Sequence, residues 1–324
     1  MKAIVQDRYG SADVLQFRDV DPPTPGTGEV LVRVRAAGVD PGVWHLMTGR
    51  PYLVRALGFG LRRPKAAVRG RDLAGVVEAV GAGVTGFRPG DEVYGTSDTG
   101  SFAEYATAPV SRLATKPARL SFEQAAVTPV SGVTALQSLR DFGRVRAGQQ
   151  VMVIGAAGGV GSFAVQLATH FGAAVTGVCS TAKADLVRSL GAVDVLDYTR
   201  QEIDRDPGRY DLIVDTAGNR PLSLLRRALT RRGSLVLVGG EHGGPLLGGF
   251  DRALRAPLLS AFVGQRLRGA MAKENAEDLT FLAGLAESGA LTPHLDRTYP
   301  LARAADAITY LAAGHAAGKI VLTV

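Results

Sequence analysis

A single cysteine, Cys179, stands in 324 residues. One thiol builds neither an internal disulfide framework nor a cysteine-rich zinc module, so a reducing, cytoplasmic setting is expected. The N-terminus, Met1-Lys2-Ala3-Ile4-Val5-Gln6-Asp7, meets charge too early to carry the apolar core of a signal peptide. Internal repeats and low-complexity tails are also missing. With 46% hydrophobic and 21% charged residues, a long disordered chain is excluded. A further absence is local: from Ala147 to Ala182 there is no Asp, Glu, Lys or Arg. Such a run is long enough to span a bilayer. Glycines placed as turns between Gly155 and Gly177 break it, however, and it reads as strand, loop, helix and strand in a soluble core.

What is present points to two domains, because 324 residues exceed one typical domain. Lys plus Arg outnumber Asp plus Glu by 37 to 30. The resulting +7 suits anionic ligands such as phosphates and equally suits a merely basic surface. In Glu29-Val30-Leu31-Val32-Arg33-Val34-Arg35 the valines recur at every second position, the period of a half-buried strand. Strand-like stretches at Leu73 to Val80 and Glu92 to Tyr94, with turn chemistry at Gly81-Ala82-Gly83 and Arg88-Pro89-Gly90-Asp91, extend this into an irregular β domain.

The texture changes at Ser121-Phe122-Glu123-Gln124, a capping box that opens a helix. The expected domains are therefore 1–122 with 267–324, and 123–266. From Gln150 short apolar strands alternate with helices: Val151 to Ile154, a helix Val160 to Phe171, Ala174 to Val178, and a helix Ala182 to Leu190. Three more strands follow at Val193 to Asp197, Asp211 to Asp215 and Leu235 to Val238. Five such strands predict an α/β domain with a doubly wound parallel sheet covered on both faces. Gly239 to Arg268 reads as a mobile loop and a return to the first domain. The chain then closes with a helix over Leu301 to Ala313, burying Ala304, Ala305, Ile308, Leu311 and Ala312, and a strand from Ile320 to Val324.

The most informative stretch is Val151-Met152-Val153-Ile154-Gly155-Ala156-Ala157-Gly158-Gly159-Val160-Gly161. A strand runs into a glycine loop that opens a helix, the context of a Rossmann-type dinucleotide site. Gly158 removes a side chain where a pyrophosphate would approach, Gly161 lets the helix pack on the strand, and the helix N-terminus offers N–H groups to phosphate. Ala156 departs from the usual pattern by replacing the first glycine. An acid about 20 residues on would select NAD. Here Cys179-Ser180-Thr181-Ala182-Lys183 has none, and the hydroxyls of Ser180 and Thr181 with the Lys183 ammonium favour NADPH.

These residues carry a likeness over essentially the full length. Gly28-Glu29-Val30-Leu31-Val32, Ala36-Ala37-Gly38-Val39, Gly70-Arg71-Asp72-Leu73-Ala74-Gly75, Pro89-Gly90-Asp91-Glu92-Val93, the loop Ala156 to Gly161 and the closing Gly318-Lys319-Ile320-Val321-Leu322 resemble the medium-chain dehydrogenase/reductase superfamily, in its zinc-free, zeta-crystallin-like quinone oxidoreductase branch. The resemblance implies a GroES-like irregular β domain beside the Rossmann-type one, and a homodimer. It sets Asp40, Arg71 and Val130 at the positions of catalytic zinc ligands, a set that makes no tetrahedral zinc site, so no metal is expected.

Reduction of an isolated ketone creates a localised alkoxide that a Lewis acid stabilises. A zinc-free member is expected to act instead on quinones or α,β-unsaturated carbonyls, where the developing charge is delocalised. Further implied cofactor contacts are Thr128 and Thr134 near the nicotinamide, Gly159 and Val160 within the pyrophosphate loop, Ser180, Lys183 and Tyr198 at the adenosine end, Gly239 and Gly240 under the nicotinamide, and Lys319 at the pyrophosphate. Asp40, His45 and Tyr52 are the candidates to face the substrate, His45 or Tyr52 as hydrogen-bond or proton donor. Trp44 reads as core or as a substrate platform. The arginines from Arg50 to Arg71, with Arg252, Arg255, Arg266 and Arg268, form a basic rim for an acidic or membrane-borne acceptor, or a solvated face. Two other classes stay open: an alcohol dehydrogenase or ketoreductase of the same superfamily, and a non-catalytic NADPH-binding module with a partner- or RNA-binding surface.

Overall fold

The computed structural model describes residues 1–240, 244 and 246–324. It divides into two compact units, Met1–Val133 with Glu274–Val324, and Thr134–Lys273. In chain order the first unit supplies β1 (Lys2–Val5), β2 (Gln16–Asp19), β3 (Glu29–Val39), helix α1 (Pro41–Thr48), the short α2 (Tyr52–Val54), β4 (Asp72–Val80), β5 (Glu92–Thr96), β6 (Tyr105–Pro109), β7 (Leu113–Thr115) and α3 (Phe122–Ala126). Helix α4 (Pro129–Gln137) follows. The second unit then supplies β8 (Gln150–Ile154), α5 (Gly159–His170), β9 (Ala174–Cys179), α6 (Ala184–Ser189), β10 (Asp194–Asp197), β11 (Tyr210–Asp215), α7 (Leu222–Ala228), β12 (Leu229–Leu237), α8 (Phe250–Ser260) and β13 (Arg266–Gly269). The chain ends in the first unit with α9 (Ala276–Glu287), β14 (Leu295–Pro300), α10 (Ala304–Ala312) and β15 (Lys319–Thr323).

The first unit is a largely antiparallel sheet in the order β14-β15-β3-β4-β5-β7, with β6 on β3 and a separate β1-β2 pair. Its long strand β3 behaves as its alternation predicts: Val30, Val32 and Val34 are buried and Arg33 and Arg35 are exposed. Those valines join Leu73, Val77, Val93, Phe102 and Ile320 in one core. Trp44 packs partly buried against that core, its ring edge-on to His45. The capping box at Ser121 is present in both directions, Ser121 Oγ accepting from Gln124 N–H and Gln124 Oε1 from Ser121 N–H.

The second unit is a parallel sheet in the order β10-β9-β8-β11-β12-β13, helices intervening between most strands. Numbered within the unit this is 3-2-1-4-5-6, the doubly wound order that puts a switch point between its first and fourth strands, β8 and β11. Val151, Met152, Val153, Ile213 and Val214 are wholly buried because central parallel strands are covered on both faces.

Three expectations are corrected. The sheet has six strands, not five. The sixth, Arg266–Gly269, lies where the sequence reads as a return segment. As an edge strand it buries only Leu267 and turns Arg266 and Arg268 outward, so it has no apolar run to betray it. The preceding stretch is not simply a loop, since Phe250–Ser260 is helical even across Pro257. Phe250, Leu254 and Leu258 recur at helical spacing, yet this apolar face is exposed while Ala256 is buried. The expected loop residues Glu241, His242, Gly243 and Pro245 lie outside the described residues. In α10 the buried face is Ala304, Ala307 and Ile308 rather than one reaching Ala312, which is exposed.

Candidate functional site

In the second unit the carboxyl end of β8 turns sharply at Gly155, whose φ of 80° is left-handed. A Cβ there would sit 2.5 Å from Thr216 Oγ1, so glycine serves both conformation and packing. Gly155 and Ala156 donate their N–H groups to Val178 O at 3.1 Å, which ties the loop to β9. Gly158 is the N-cap of α5 with no side-chain cap, and its Cβ position meets only Gly155 O at 3.2 Å. Gly161 is buried, and a Cβ there would fall 2.1 Å from Gly155 O. The helix thus packs backbone on backbone, and its first N–H groups, from Gly159, Val160 and Gly161, have no carbonyl one turn upstream within the helix. An anion at this N-terminus would meet both unpaired donors and the positive end of the helix dipole.

The substitution at Ala156 has a structural counterpart. Its methyl is wholly buried and lies 3.1 Å from where Gly177 of β9 would carry a Cβ. The bulk is therefore moved from one strand to its neighbour, and the cradle keeps its shape.

At the ends of β9 and β10, Ser180 is half-buried and opens a short turn, Thr181–Lys183. Thr181 donates its hydroxyl to Asp197, which also accepts from Thr199 N–H at 2.9 Å and Thr199 Oγ1 at 2.7 Å. Those hydroxyl bonds, Thr181's first, hold the Asp197 carboxyl below the usual range, and Arg200 stands 3.6 Å away. Tyr198 is 49% exposed, with the Arg220 guanidinium 5.9 Å from its ring centre. Lys183 is half-buried in the same turn.

Gly239 and Gly240, at the end of β12, are held by packing. A Cβ on Gly239 would be 2.1 Å from Thr216 O, and Gly240 O accepts from Gly249 N–H at 2.6 Å. Beside them Asp215, 0% exposed, accepts from Gly218 N–H and from Arg252 Nη2 at 2.8 Å. Arg252, placed in a basic rim by the sequence, is thus a buried counter-ion within its unit.

The first unit holds a separate polar cluster. Asp40 is the N-cap of α1, its Oδ1 accepting from Gly42 N–H at 2.7 Å and Val43 N–H at 3.3 Å, while Oδ2 is buried without a partner. Asp72, wholly buried, accepts from Val130 N–H at 3.1 Å and leaves its own Oδ2 unpaired. Burial pushes the Asp72 carboxyl well above the carboxylate range, with Lys319 opposing and Asp40 adding to the rise. Lys319 is 2% exposed, its Nζ donating to Ser131 Oγ at 2.9 Å. Arg71 pairs with Glu274 at 3.1 Å. Desolvation, which lowers its pKa, is outweighed by Glu274, Asp40, Asp72 and Asp98.

The remaining predicted residues are placed as follows. His45 Nδ1 lies 2.7 Å from Arg50 O, and because a carbonyl only accepts, this nitrogen carries the proton. Neutral His45 therefore offers an acceptor, not a donor, at Nε2. Tyr52 is 41% exposed, with Arg55 4.9 Å from its ring centre. Thr128 is buried and back-bonds to Gln124 O at 2.9 Å, and Thr134 is half-buried on α4.

Residues 26–118 match the model of the alcohol dehydrogenase GroES-like domain, and residues 190–322 the model described as zinc-binding dehydrogenase. The chain is 34% identical to a 2-methylene-furan-3-one reductase of Solanum lycopersicum, covering 99% of this chain and 79% of the relative. It is equally 34% identical, with the same coverage, to an NADPH-dependent alkenal/one oxidoreductase of Arabidopsis thaliana. The chain belongs to the medium-chain dehydrogenase/reductase superfamily, in its quinone oxidoreductase branch. A solved structure of the quinone oxidoreductase from Coxiella burnetii superposes with a TM-score of 0.87 at 28% identity, covering 100% of this chain and 99% of that one. The fold is thus the Rossmann-type sheet with a GroES-like domain that the sequence predicts.

Membership of this superfamily raises two fit tests. The positions that the resemblance sets for zinc do not fit it: Arg71 is a cation and Val130 offers no side-chain donor, which leaves Asp40 alone of the three able to ligate. The dinucleotide passes, because α5 begins beyond the carboxyl end of β8 with Gly158 as its N-cap, and no side-chain cap engages its first N–H groups. Sequence reasoning missed Asp72, Asp197, Arg220 and the Asp215–Arg252 pair. An acid at the first or last residue of a strand was the available signal for Asp72, Asp197 and Asp215.

Proposed function

We propose that this protein is an NADPH-dependent, zinc-independent oxidoreductase that transfers a hydride to a quinone or an α,β-unsaturated carbonyl. The observation that carries the reading is the cradle at the end of β8: a left-handed glycine at Gly155, a glycine N-cap without a side-chain cap at Gly158 and a helix packed on backbone at Gly161. Bound there, the dinucleotide supplies the hydride. The N–H groups of Gly159, Val160 and Gly161 hold the pyrophosphate. Ser180 and Lys183 hold the adenosine 2′-phosphate, and Tyr198, flanked by Arg220, lies along the adenine. Asp197 does not compete for the ribose, since its oxygens are engaged by Thr181 and Thr199 and its charge is offset by Arg200.

The names of the relatives support the acceptor class, alkenals and enones for two of them and quinones for the third. In these acceptors the negative charge spreads over a conjugated system, so the residues need supply orientation and hydrogen bonds rather than a Lewis acid. Tyr52 is the donor we assign to the acceptor oxygen. Asp40 sets the direction of α1, which carries His45, and Lys319 balances the buried Asp72. Gly239, Gly240, Thr128 and Thr134 are assigned to the path of the nicotinamide. The lone buried Cys179 accords with a reducing compartment such as the cytoplasm, and the outer edge of β13, unpaired within its sheet, accords with a homodimer.

The test is oxidation of NADPH and of NADH by quinones, enones, aldehydes and ketones, with and without a chelator. Chelator-insensitive turnover of quinones or enones, faster with NADPH, is expected. Replacing Lys183 by Ala should weaken NADPH binding and leave NADH binding unchanged. A preference for NADH, or alcohol oxidation that a chelator abolishes, would overturn the reading.

A further inference from the structure

A cleft of about 270 Å³ opens in the second unit, among residues that start its strands rather than end them. Gln149 precedes β8, Asp211 stands near the start of β11, and Arg266 begins β13. The glycine cradle lies at the opposite, carboxyl end of β8, about 17 Å away for five residues of strand. The cleft is therefore distinct from the dinucleotide site.

Four arginines line it: Arg144, Arg146, Arg232 and Arg266. All four are exposed, and none forms an ion pair with a carboxylate among the described residues. The one acid in the lining, Asp211, accepts from Gln150 N–H at 3.0 Å. Four arginines thus share the lining of one cleft with a single acidic residue. Like charges gathered this closely raise a positive potential that attracts a polyvalent anion. Ser234, Thr230 and Gln149 add neutral hydrogen-bonding groups.

Arg144 carries a second, independent mark. With φ 54° and ψ 48° it is left-handed, and among the described residues no other non-glycine has positive φ. Glycine would hold this turn without strain. An arginine there accepts backbone strain at a residue that lines the cleft.

We propose that this cleft is a second anion site that binds a compact polyphosphate, either an inorganic di- or triphosphate or the phosphate chain of a free nucleotide. Guanidinium forks pair with phosphate oxygens in bidentate fashion, which lysines would not do. The volume lies just below the range usual for drug-sized ligands and suits a small one. Bound there, the anion joins the turn after α4 to β12 and β13 and stiffens that edge of the sheet.

The experiment is calorimetric titration of the whole protein with sodium tripolyphosphate, ATP and orthophosphate at constant ionic strength, with and without saturating NADPH. Saturable binding of tripolyphosphate is expected, retained in NADPH and weakened as salt is raised. ATP binding as tightly as tripolyphosphate would identify a nucleotide's phosphate chain as the source, and tripolyphosphate alone an inorganic one. Arg144→Gly, which relieves the turn, should leave the melting temperature equal or higher while lowering affinity about tenfold. Combining it with Arg232→Gln should lower affinity by a further factor of about ten, with NADPH affinity unchanged. Binding that the double variant keeps, that NADPH abolishes, or that appears only with long single-stranded nucleic acid would overturn the proposal.

Discussion

Replacing Gly161 by Ala separates what the glycine loop does for the fold from what it does for the ligand. The new methyl would stand 2.1 Å from Gly155 O and 2.9 Å from Ala156 Cα, both backbone atoms with no rotamer to swing aside. Ordinary contact needs about 3.4 Å, so the first turn of α5 must retreat by about 1.3 Å. Overpacking of this kind costs about 1–3 kcal/mol. Alanine returns close to 1 kcal/mol in helix propensity, which leaves a net loss of up to about 2 kcal/mol. For a unit of this size the melting temperature should fall by up to roughly 8 °C.

Gly158→Ala is the matched control. Its φ of −84° and ψ of −179° suit alanine, and its methyl meets only Gly155 O at 3.2 Å. The loss of stability should stay below about 1 kcal/mol, the size of an N-cap change. That methyl nevertheless stands where phosphate approaches, so NADPH affinity should fall at least as far as in Gly161→Ala. Thermal melts followed by circular dichroism and a fluorescence titration with NADPH read both quantities. If Gly158→Ala proved the more destabilising, or if it bound NADPH as the parent does, the account of the loop would be refuted.

Asp72 holds its proton more tightly folded than unfolded, so the stability it contributes is fully present below the unfolded value of about 3.9 and is lost as pH rises toward the folded one. Asp72→Asn should therefore gain on the parent in melts taken from pH 4 upward, and a constant offset would count against the assignment. Arg252→Met strands the carboxylate of Asp215, 0% exposed, and should cost about 3–5 kcal/mol, most of which Asp215→Asn restores in the double variant. Equal melting of the single and double variants would show that the ion pair is not the cause. Tyr94 is buried and donates its hydroxyl to Leu279 O. Tyr94→Phe should cost about 0.5–1.5 kcal/mol by removing that hydrogen bond while the carbonyl keeps its helical donor in α9, and an unchanged denaturation midpoint would contradict this.

The local rules written into the chain determined a good deal. Alternating valines specified β3, the Ser121–Gln124 box specified the start of α3, and apolar runs between glycines specified β8, β9 and β11. The glycine spacing specified the phosphate cradle, because left-handed φ and backbone contact are demands that one residue type meets. These signals are short-range, and a single chain carries them whole.

Tertiary structure alone decided the rest. An edge strand needs one buried side chain, so β13 is stabilised by its neighbour β12 rather than by its own pattern. Lys319 and Ser131, 188 residues apart, form one hydrogen bond, and the rise in the Asp72 pKa exists only once folding removes water from around it. The unpaired arginines lie on a turn and two strands far apart in the chain, and become a site because parallel strands begin at the same edge of a sheet. Charge and burial act through space and have no period to read, which is why they stayed out of reach until the chain was folded.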